Sequence, residues 1–476
     1  MALVTLGNPT TTSQIDLDND VIQLTEGSQF SATSTLYTFV DNDNSTIVID
    51  GTALMSGSGF DPAMEVDAAS SGIGMIISDS GRIISTQNGL QIDSNGTLLQ
   101  NAGEIHADNV AVQSSGVDLF IRNSGIISGG DGINAQSSLY LENTGQISAF
   151  SVGVRATVSG SLVNSGSISG LNAAVSLFSG SFLVQNLADG VISSDAVALA
   201  IVTSGDMSVD NTGTISGGTH AVASDNADLL VVNAGTISAT SNAAITTITS
   251  GEMSIANSGT ISSGSGIAIG ADEATSVGLT NTGDILGDVV LGSGDDVVVN
   301  AGQGVIAGVV EGGNGNDTIL GGTSSETIDG GADNDYITGG NGDDALTTGG
   351  GIDIILGGAG DDEITVNRGG TKFLLGQAGA DTFYFLDSSV SPPGGEITSI
   401  LDFEQGADII DFYAIASGIA FVGEAGFSAT GGAEIATKDI GGAVTLAQLD
   451  VNGDGTAELE ILVYGVVDMT LADFGL

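Results

Sequence analysis

Residues 312–365 form six consecutive blocks of nine residues, and this period constrains the fold more than any other feature. The blocks read GGNGNDTIL, GGTSSETID, GGADNDYIT, GGNGDDALT, TGGGIDIIL and GGAGDDEIT. Glycine dominates the first four positions, the sixth is acidic and the eighth is aliphatic. Glycine permits the left-handed backbone of a tight turn, and three residues make a short strand with the eighth side chain pointing inward. Two blocks therefore predict one coil of a stacked β-solenoid.

The acidic sixth position predicts a cation site at each turn. Stacked coils bring carboxylates and turn carbonyls together, and calcium is a hard cation that takes about 6–8 oxygen ligands. The pattern resembles the RTX (repeats-in-toxin) nonapeptide G-G-x-G-x-D-x-U-x of calcium-binding β-rolls. The resemblance implies several calcium ions, with ligands at Asp317, Asp335, Asp344, Asp353, Asp362, Asn314 and Asn341. The second block carries Glu326 in place of Asp and lacks the usual Gly and Asn, so we expect its site to be weak or empty.

The net charge of the chain limits its partners. It has 58 Asp and Glu against 6 Lys and Arg, which gives a formal charge of −52. This acidity argues against nucleic acid and anionic lipid as partners, and a folded chain with so few basic residues needs cations beside its carboxylates. No apolar run is long enough to insert in a membrane. Cysteine is absent, which excludes disulfide and thiolate chemistry.

A second repeat, Asn-[Ser/Thr/Ala]-Gly-x-Ile, occupies residues 46–290. Copies begin at Asn101, Asn123, Asn143, Asn164, Asn211, Asn233, Asn257 and Asn281, with a decayed copy at Asn186 and an apparent earlier one at Asp79. Each copy predicts a strand, a corner and another strand in one coil of a parallel β-helix. Stacked asparagines favour a hydrogen-bonded ladder over a sugar-binding strip. The repeat resembles the passenger β-helices of bacterial surface adhesins.

The chain thus divides into four predicted parts. Residues 1–45 are a cap, with turns at 16–20 and 41–44, and residues 46–290 are the β-helix. Residues 291–385 are the RTX β-roll, which also includes Asp296 and Asp381 at ligand positions. Residues 386–476 form a β-rich C-terminal cap. We expect the β-helix and the β-roll to be one continuous solenoid.

The C-terminal part carries a second resemblance. Ile400–Phe412 and Leu471–Leu476 resemble the C-terminal domain of serralysin-type proteases. The resemblance implies export by the type I secretion machinery of a Gram-negative bacterium, and the start of the chain lacks the features of a cleavable signal peptide. Within this part, Asp450, Asn452 and Asp454 have the spacing of an EF-hand loop, with Glu458 at position nine but no Glu at position twelve. A bound calcium and a plain turn both remain open for this loop.

No catalytic constellation stands out. His106 and His220 are far apart, so the zinc motif of the serralysin-type proteases is absent. Alginate C5-epimerases also join a β-helix to RTX repeats, but residues 58–63 (SGFDPA) lack the tyrosine and histidine of their Tyr-Gly-Phe-Asp-Pro-His run. A hydrolase with paired carboxylates stays open, although no pair is singled out.

The sequence therefore predicts an all-β protein in which a parallel β-helix continues into an RTX calcium β-roll with a β-rich cap. We expect a secreted, non-enzymatic structural or adhesive surface protein: an S-layer, matrix-fibre or adhesin subunit. It would self-assemble on meeting extracellular calcium, with surface or matrix polysaccharide as a further candidate partner. The alternative is a β-helix carbohydrate-active enzyme (epimerase, lyase or hydrolase) or a glycan-binding module of the matrix.

Overall fold

The computed structural model is built almost entirely of short β-strands that pair in parallel with the next coil along the chain. It describes residues 3–5, 13–15, 21–24, 29–32, 37–39, 44–56, 62–202, 205–272, 274–429, 431–466 and 468–475. These residues belong to two compact units, one of Met1–Gly251 with Gly259–Ser265 and one of Glu252–Ser258 with Gly266–Leu476. Within the described ranges there is no α-helix, and no helix is long and apolar enough to cross a membrane.

The first unit is a parallel β-solenoid whose regular coils contain three strands. One strand of each coil joins the sheet that carries the Asn-x-Gly corners: Leu3–Thr5, Val21–Leu24, Thr46–Ile49, Gly74–Ile77, Leu98–Asn101, Leu119–Asn123, Leu139–Asn143, Gly160–Asn164, Phe182–Asn186, Met207–Asn211 and Leu229–Asn233. The others join a second sheet: Ser13–Ile15, Gln29–Ala32, Tyr37–Phe39, Thr52–Met55, Pro62–Val66, Arg82–Ser85, Asn88–Ile92, Glu104–Ser114, Ile126–Ala135, Gln146–Ala149, Val152–Ala156, Ser167–Gly170, Ala173–Leu177, Val191–Ser194, Val197–Ile201, Thr214–Gly217, His220–Ser224, Thr236–Ala239 and Ile245–Thr247. The strand Thr260–Gly270 begins in this unit and ends in the second.

The register of these strands follows from the repeat. Asn143 pairs with Asn164, and Ile147 pairs with Ile168, so equivalent positions stack directly above one another. The aliphatic residues on either side of the corner are buried, with Leu141 1% and Ile147 0% exposed. Side chains that alternate along a strand point to opposite faces, so each coil contributes one layer of β-branched and leucine side chains to a continuous core.

The second unit changes from longer to shorter coils. Its corner-bearing sheet begins with Glu252–Asn257, Ser276–Asn281, Val297–Asn300, Thr318–Leu320, Tyr336–Asn341, Asp353–Ala359, Lys372–Ala378 and Thr398–Ile400. The opposite sheet contains Asp284–Val290, Val305–Ile306, Val309–Glu311, Thr327–Asp329, Ala345–Thr347, Glu363–Val366, Thr382–Phe385, Ile409–Asp411 and Phe474–Gly475. From Thr318 onwards each coil has two strands, one per nonapeptide, and Ile319 pairs with Ile337. The predicted coil of two nine-residue blocks is confirmed.

The end of the second unit is a different, partly antiparallel structure. It comprises Ala420–Gly423, Glu434–Asp439, Val444–Asp450 and Leu459–Tyr464, with 3₁₀ turns at Ser388–Val390 and Leu471–Asp473. Phe385, Phe412, Phe421 and Phe474 form a chain of ring contacts with centroids 5.6 to 6.1 Å apart. These large side chains bury the last coil of the solenoid, where small β-branched residues would leave it open.

The β-solenoid fold is confirmed, although the third strand of each longer coil was not predicted. The earlier repeat copy at Asp79 is wrong, because Ile77 and not Asp79 pairs with Asn101, while Ile83 does pair with Ile105. Two extra residues in the turn shift the asparagine-like position out of line. The predicted turn at 16–20 and residues 41–43 of the predicted turn at 41–44 lie outside the described residues, whereas Asn44 lies in a turn with a φ of 53°. The continuous solenoid stays a prediction.

Candidate metal centre

The Asn-x-Gly corners form the predicted hydrogen-bond ladder. In the first unit each Asn Nδ2 donates to the Oδ1 of the asparagine one coil later at 2.7–2.9 Å, from Asn101 through Asn123, Asn143, Asn164, Asn186 and Asn211 to Asn233. The second unit continues the pattern with Asn257 to Asn281 at 2.8 Å and Asn281 to Asn300 at 2.9 Å. The copy at Asn186, which has its glycine two residues late, is a full member. The ladder needs no other ligand.

The acidic sixth positions of the nonapeptides stack in the same way but form two rows, one on each edge of the coils. The first carboxylate row contains Asp296, Asp317, Asp335 and Asp353, and the second contains Glu326, Asp344, Asp362, Asp381 and Asp408. Along both rows a backbone N–H donates to one carboxylate oxygen of the next coil. The distances are 2.9 Å from Asp317 N to Asp335 Oδ1 and 2.9 Å from Asp344 N to Asp362 Oδ1.

The second oxygen of most of these carboxylates has no protein partner. The Oδ2 atoms of Asp296, Asp317, Asp335, Asp344, Asp362 and Asp381 are buried and accept no hydrogen bond from the described residues. These side chains belong to residues that are 1–3% exposed. A buried carboxylate oxygen without a donor is strongly unfavourable. Six such atoms at equivalent positions indicate that their partner is not a protein group but a cation.

Glycine at the first position of most blocks makes room beside this oxygen. A Cβ added to Gly312, Gly330 or Gly339 would lie 2.5, 2.7 or 2.1 Å from the Oδ2 of the aspartate five residues later. Gly357 and Gly376 show the same relation to Asp362 and Asp381, at 2.3 and 2.1 Å. The glycine requirement of the repeat is therefore local and steric: any side chain there would collide with the free carboxylate oxygen.

Burial raises the pKa of these carboxyl groups, and their acidic neighbours raise it further. The pKa of Asp335 rises to about 8, and those of Asp317 and Asp344 rise to about 7. The pKa values of Asp296, Asp362 and Asp381 rise to about 6. Burial thus disfavours the anionic form of each group, and a neighbouring positive charge would favour it.

This donor set fits calcium. The free atoms are hard carboxylate oxygens beside glycine-rich turns whose carbonyls supply further oxygen, and no thiolate or imidazole lies among them. Asp296, Asp317, Asp335, Asp344, Asp362 and Asp381 would hold the ions, which supply the positive charge that the rows lack. The side chains of Asn314 and Asn341 are exposed, unlike these carboxylates, and their predicted role stays a prediction.

Two acidic residues of the rows are satisfied without a cation. Glu326 accepts hydrogen bonds from Asn300 Nδ2 at 3.2 Å and from Gly322 N at 3.2 Å, in line with the weak or empty site expected there. Asp408 accepts from Asp381 N and from Glu404 N. Sequence reasoning missed Asp408, although residues 403–411 (FEQGADIID) repeat the Gly, Asp and Ile spacing of a nonapeptide.

Asp353 has a protein partner that the other predicted ligands of its row lack, and its role as a calcium ligand stays a prediction. Its Oδ2 lies 2.6 Å from the ammonium of Lys372, and both side chains are fully buried. This pair is the one buried ion pair in the described ranges that involves a predicted calcium ligand. The lysine is 19 residues away in sequence, so the nonapeptide alone gave no sign of it.

The EF-hand-like loop brings Asp450, Asp454 and Glu458 together, with one ligand atom of each within 4.8 Å of the others. Asp450 is fully buried and accepts hydrogen bonds from the backbone of Gly453 and Gly455. Asn452 donates from its side chain to Glu458 Oε1 at 2.5 Å. Because protein donors already reach these oxygens, the loop is a complete turn, and a calcium ion there stays a prediction.

The two histidines lie in separate coils of the first unit. His106 Nδ1 is 2.9 Å from Ser128 Oγ, and His220 Nδ1 is 2.8 Å from the Ala243 carbonyl. Neither lies near a cluster of other possible metal ligands within the described part of the chain. Both bonds are part of the packing of neighbouring coils.

Comparison with known proteins agrees with the metal centre. A family model of the RTX calcium-binding nonapeptide repeat (4 copies) matches residues 311–346 and 338–370. Among solved structures, the AlgE6R3 subunit of the Azotobacter vinelandii mannuronan C5-epimerase is 28% identical, over 34% of this chain and 77% of that one, with a TM-score of 0.20. No curated protein matches the chain. The chain therefore carries calcium-binding RTX repeats, and the predicted calcium cofactor is confirmed.

Proposed function

We propose that this chain, with its RTX calcium-binding repeats, is a secreted, non-catalytic structural or adhesive protein that folds when it meets extracellular calcium. The observation that carries the proposal is the set of six buried, unpartnered carboxylate oxygens in two rows. Where calcium is scarce, like charges and desolvation oppose folding of these coils. Where calcium is plentiful, its binding free energy becomes folding free energy.

The same scarcity of calcium inside cells suits export. RTX repeats are typical of extracellular secreted proteins, and an unfolded acidic segment is easily transported. The serralysin-like C-terminal pattern supports type I secretion from a Gram-negative bacterium as the route. Its C-terminal strands and phenylalanine contacts then give the last coil a cover.

Self-association is supported by one face of the first unit. The outward positions of nine successive strands, from Thr46–Ile49 to Leu229–Asn233, are mostly apolar or uncharged. The exposed members include Phe120, Tyr140, Leu183, Leu230 and Val232. The charged outward residues in these strands are Arg122, Glu142 and Asp210, which give this face a net charge of −1 in a chain of −52.

We name this surface the outer corner-sheet face and propose a second copy of the chain as its occupant. Two highly acidic copies repel one another everywhere except where charge is low. Nine strands spaced by about 4.8 Å, each about 16 Å long, give about 700 Å². A standard interface buries about 800 Å² per partner, so this face is of adequate size.

The face also contains the strongest support for the rival glycan-binding function. The rings of Phe120 and Tyr140 stack at 4.8 Å between centroids with an interplanar angle of 12°. Arg122 Nε donates to Glu142 Oε2 beside them at 3.0 Å. Tyr140 pairs with Ser161 in the next coil, which is too short to cover the other side of the ring. A sugar ring could stack there.

The first experiment removes calcium with EGTA and returns it from micromolar to millimolar concentration. Circular dichroism, light scattering and negative-stain images are followed together. We expect β structure to form with calcium and larger particles to follow. A β signal that ignores calcium would overturn the calcium-folding proposal, and folding to a monodisperse monomer would overturn self-assembly alone.

The second experiment tests the face. Tyr140→Lys combined with Leu183→Lys adds charge to two outward positions without touching the core, and should keep the particles monomeric in calcium. Phe150→Lys is the matched control, since Phe150 is 80% exposed and lies outside this face. Assembly by the double variant would contradict the face assignment. If the wild type binds members of a glycan panel and the double variant does not, the face is assigned to glycan binding and not to a second copy of the chain.

A further inference from the structure

Asp353 is the exception in the first carboxylate row. Its Oδ1 accepts from Asp335 N at 3.0 Å, as in the other coils. Its Oδ2, unlike those of Asp317 and Asp335, has a protein partner, because Lys372 Nζ donates to it at 2.6 Å. Both side chains are 0% exposed. A lysine is almost never fully buried unless it is paired, so this contact needs a specific explanation.

The register shows where the lysine stands. Asp353 pairs with Lys372 in the next coil, so Lys372 occupies the place of the following acidic residue of the row. Its ammonium also donates to the Gly351 carbonyl at 2.9 Å. It thus binds one carboxylate oxygen and one turn carbonyl, which are the two donor types that the repeats offer to calcium.

A second difference occurs in the same block. The first position is glycine in the blocks of Asp317, Asp335, Asp344 and Asp362, where a Cβ would lie within 2.1–2.7 Å of the free carboxylate oxygen. In the block of Asp353 the first position is Thr348, which is fully buried. In this block the carboxylate therefore lacks the open space that a first-position glycine leaves beside it, and it has a lysine as neighbour in the next coil.

We propose that the Lys372 ammonium is a built-in cation that takes the place of calcium at Asp353 and ends the first row. The row then binds calcium up to Asp335 and is closed beyond it by the protein itself. The contact between Asp353 and Lys372 in successive coils is therefore neutral without calcium, and it forms before any ion binds. The inference rests on calcium binding by the repeats and is independent of the extracellular role proposed above.

Lys372→Met tests this directly. The variant frees Asp353 Oδ2, as its row neighbours are free, and we expect one more calcium per chain than in wild type. The ion count is measured by elemental analysis after dialysis against saturating calcium, and confirmed by isothermal titration. Adding Thr348→Gly should strengthen binding at the new site, since it restores the glycine space.

The controls separate charge from position. Lys438→Met makes the same charge change at an exposed lysine and should leave the ion count unchanged. Asp353→Asn with Lys372→Met removes both partners and should return the count to that of wild type. A folded Lys372→Met variant with the wild-type count would overturn the proposal.

Loss of folding in the single variant is itself informative. If Lys372→Met is unfolded in EGTA but recovers wild-type circular dichroism with calcium and one extra ion, calcium has replaced the lysine and the proposal holds. If no calcium concentration restores the fold while the double variant folds, the ammonium has a role that calcium cannot take, and the proposal is wrong.

Discussion

The asparagine ladder and the carboxylate rows occupy equivalent edges of stacked coils, but their side chains pair differently with those of the next coil. An amide carries both a donor and an acceptor, so Asn143 can accept from Asn123 and donate to Asn164. A carboxylate only accepts, so Asp344 and Asp362 each leave one oxygen without a partner. The ladder is complete within the protein, whereas the rows are complete only with a cation. Aspartate in place of asparagine at such a position thus changes a stack that is complete within the protein into one that needs a cation.

Removal of calcium should give the largest difference between the ladder coils and the coils with carboxylate rows. In EGTA we expect the coils of residues 312–411 to lose most of their backbone protection outside the Asp353–Lys372 contact, because several like charges are buried there without counter-charge. The ladder coils of residues 98–247 should keep most of theirs. Hydrogen exchange with mass spectrometry measures both in one sample. Equal loss in the two segments would show that the ladder also depends on the ions.

A single carboxylate gives a smaller effect whose sign depends on calcium. Asp362→Asn keeps the shape but removes one anionic ligand. We expect it to destabilise the calcium-loaded protein by about 1–3 kcal/mol, and to stabilise the protein in EGTA at pH 8, where it removes a buried charge. Urea unfolding followed by circular dichroism measures both. The neighbouring exposed Glu363→Gln is the control; equal effects from the two variants would contradict a special role for the row.

The pH dependence of stability should also differ between the calcium-free and the calcium-loaded protein. The folded pKa values of Asp317, Asp335 and Asp344, about 7 to 8, lie above the unfolded value near 4. The folded state without calcium therefore binds more protons than the unfolded state, and its stability falls as pH rises from about 4 to 8. With calcium the dependence should flatten, because the ion replaces the proton. Urea midpoints at several pH values, with EGTA or calcium, check this. A midpoint in EGTA that rises with pH would contradict the burial of these groups.

The smallest dependence on calcium belongs to the ladder. Asn143→Ala removes one donor and one acceptor, so Asn123 and Asn164 each lose one of their two ladder partners, which should cost about 1–3 kcal/mol. The cost should be the same in calcium and in EGTA. Asn172→Ala, at an exposed asparagine with one long contact to Ser151, should cost less than about 0.5 kcal/mol. A cost for Asn143→Ala that depends on calcium would link the two systems.

Periodicity explains what the sequence predicted well. An eighteen-residue coil places Asp317 over Asp335 without any knowledge of distant contacts, and the same holds for the core isoleucines. The division of the acidic positions into two rows also follows from two blocks per coil. The fold and the positions of the six carboxylates were therefore accessible from local spacing alone.

The missed features depend on insertions or distant partners. Two added residues moved Asp79 out of the ladder, while at Asn186 a similar insertion left the asparagine in place. Asp353 has the same local pattern as its neighbours, and only register pairing reveals Lys372. Asp408 follows a long non-repeating segment, which hid its membership of the second row.

The asparagines that precede the second carboxylate row also act as aligned dipoles. Asn257, Asn281 and Asn300 each direct the N–H end of the amide toward the next coil, so their small dipoles add along one direction. The positive end of this array meets Glu326 through Asn300 Nδ2. The first carboxylate of the row thus receives a fixed electrostatic field from the protein, much as an anion does at a helix N-terminus. In the second unit the amide hydrogens of this array all face the carboxylate row.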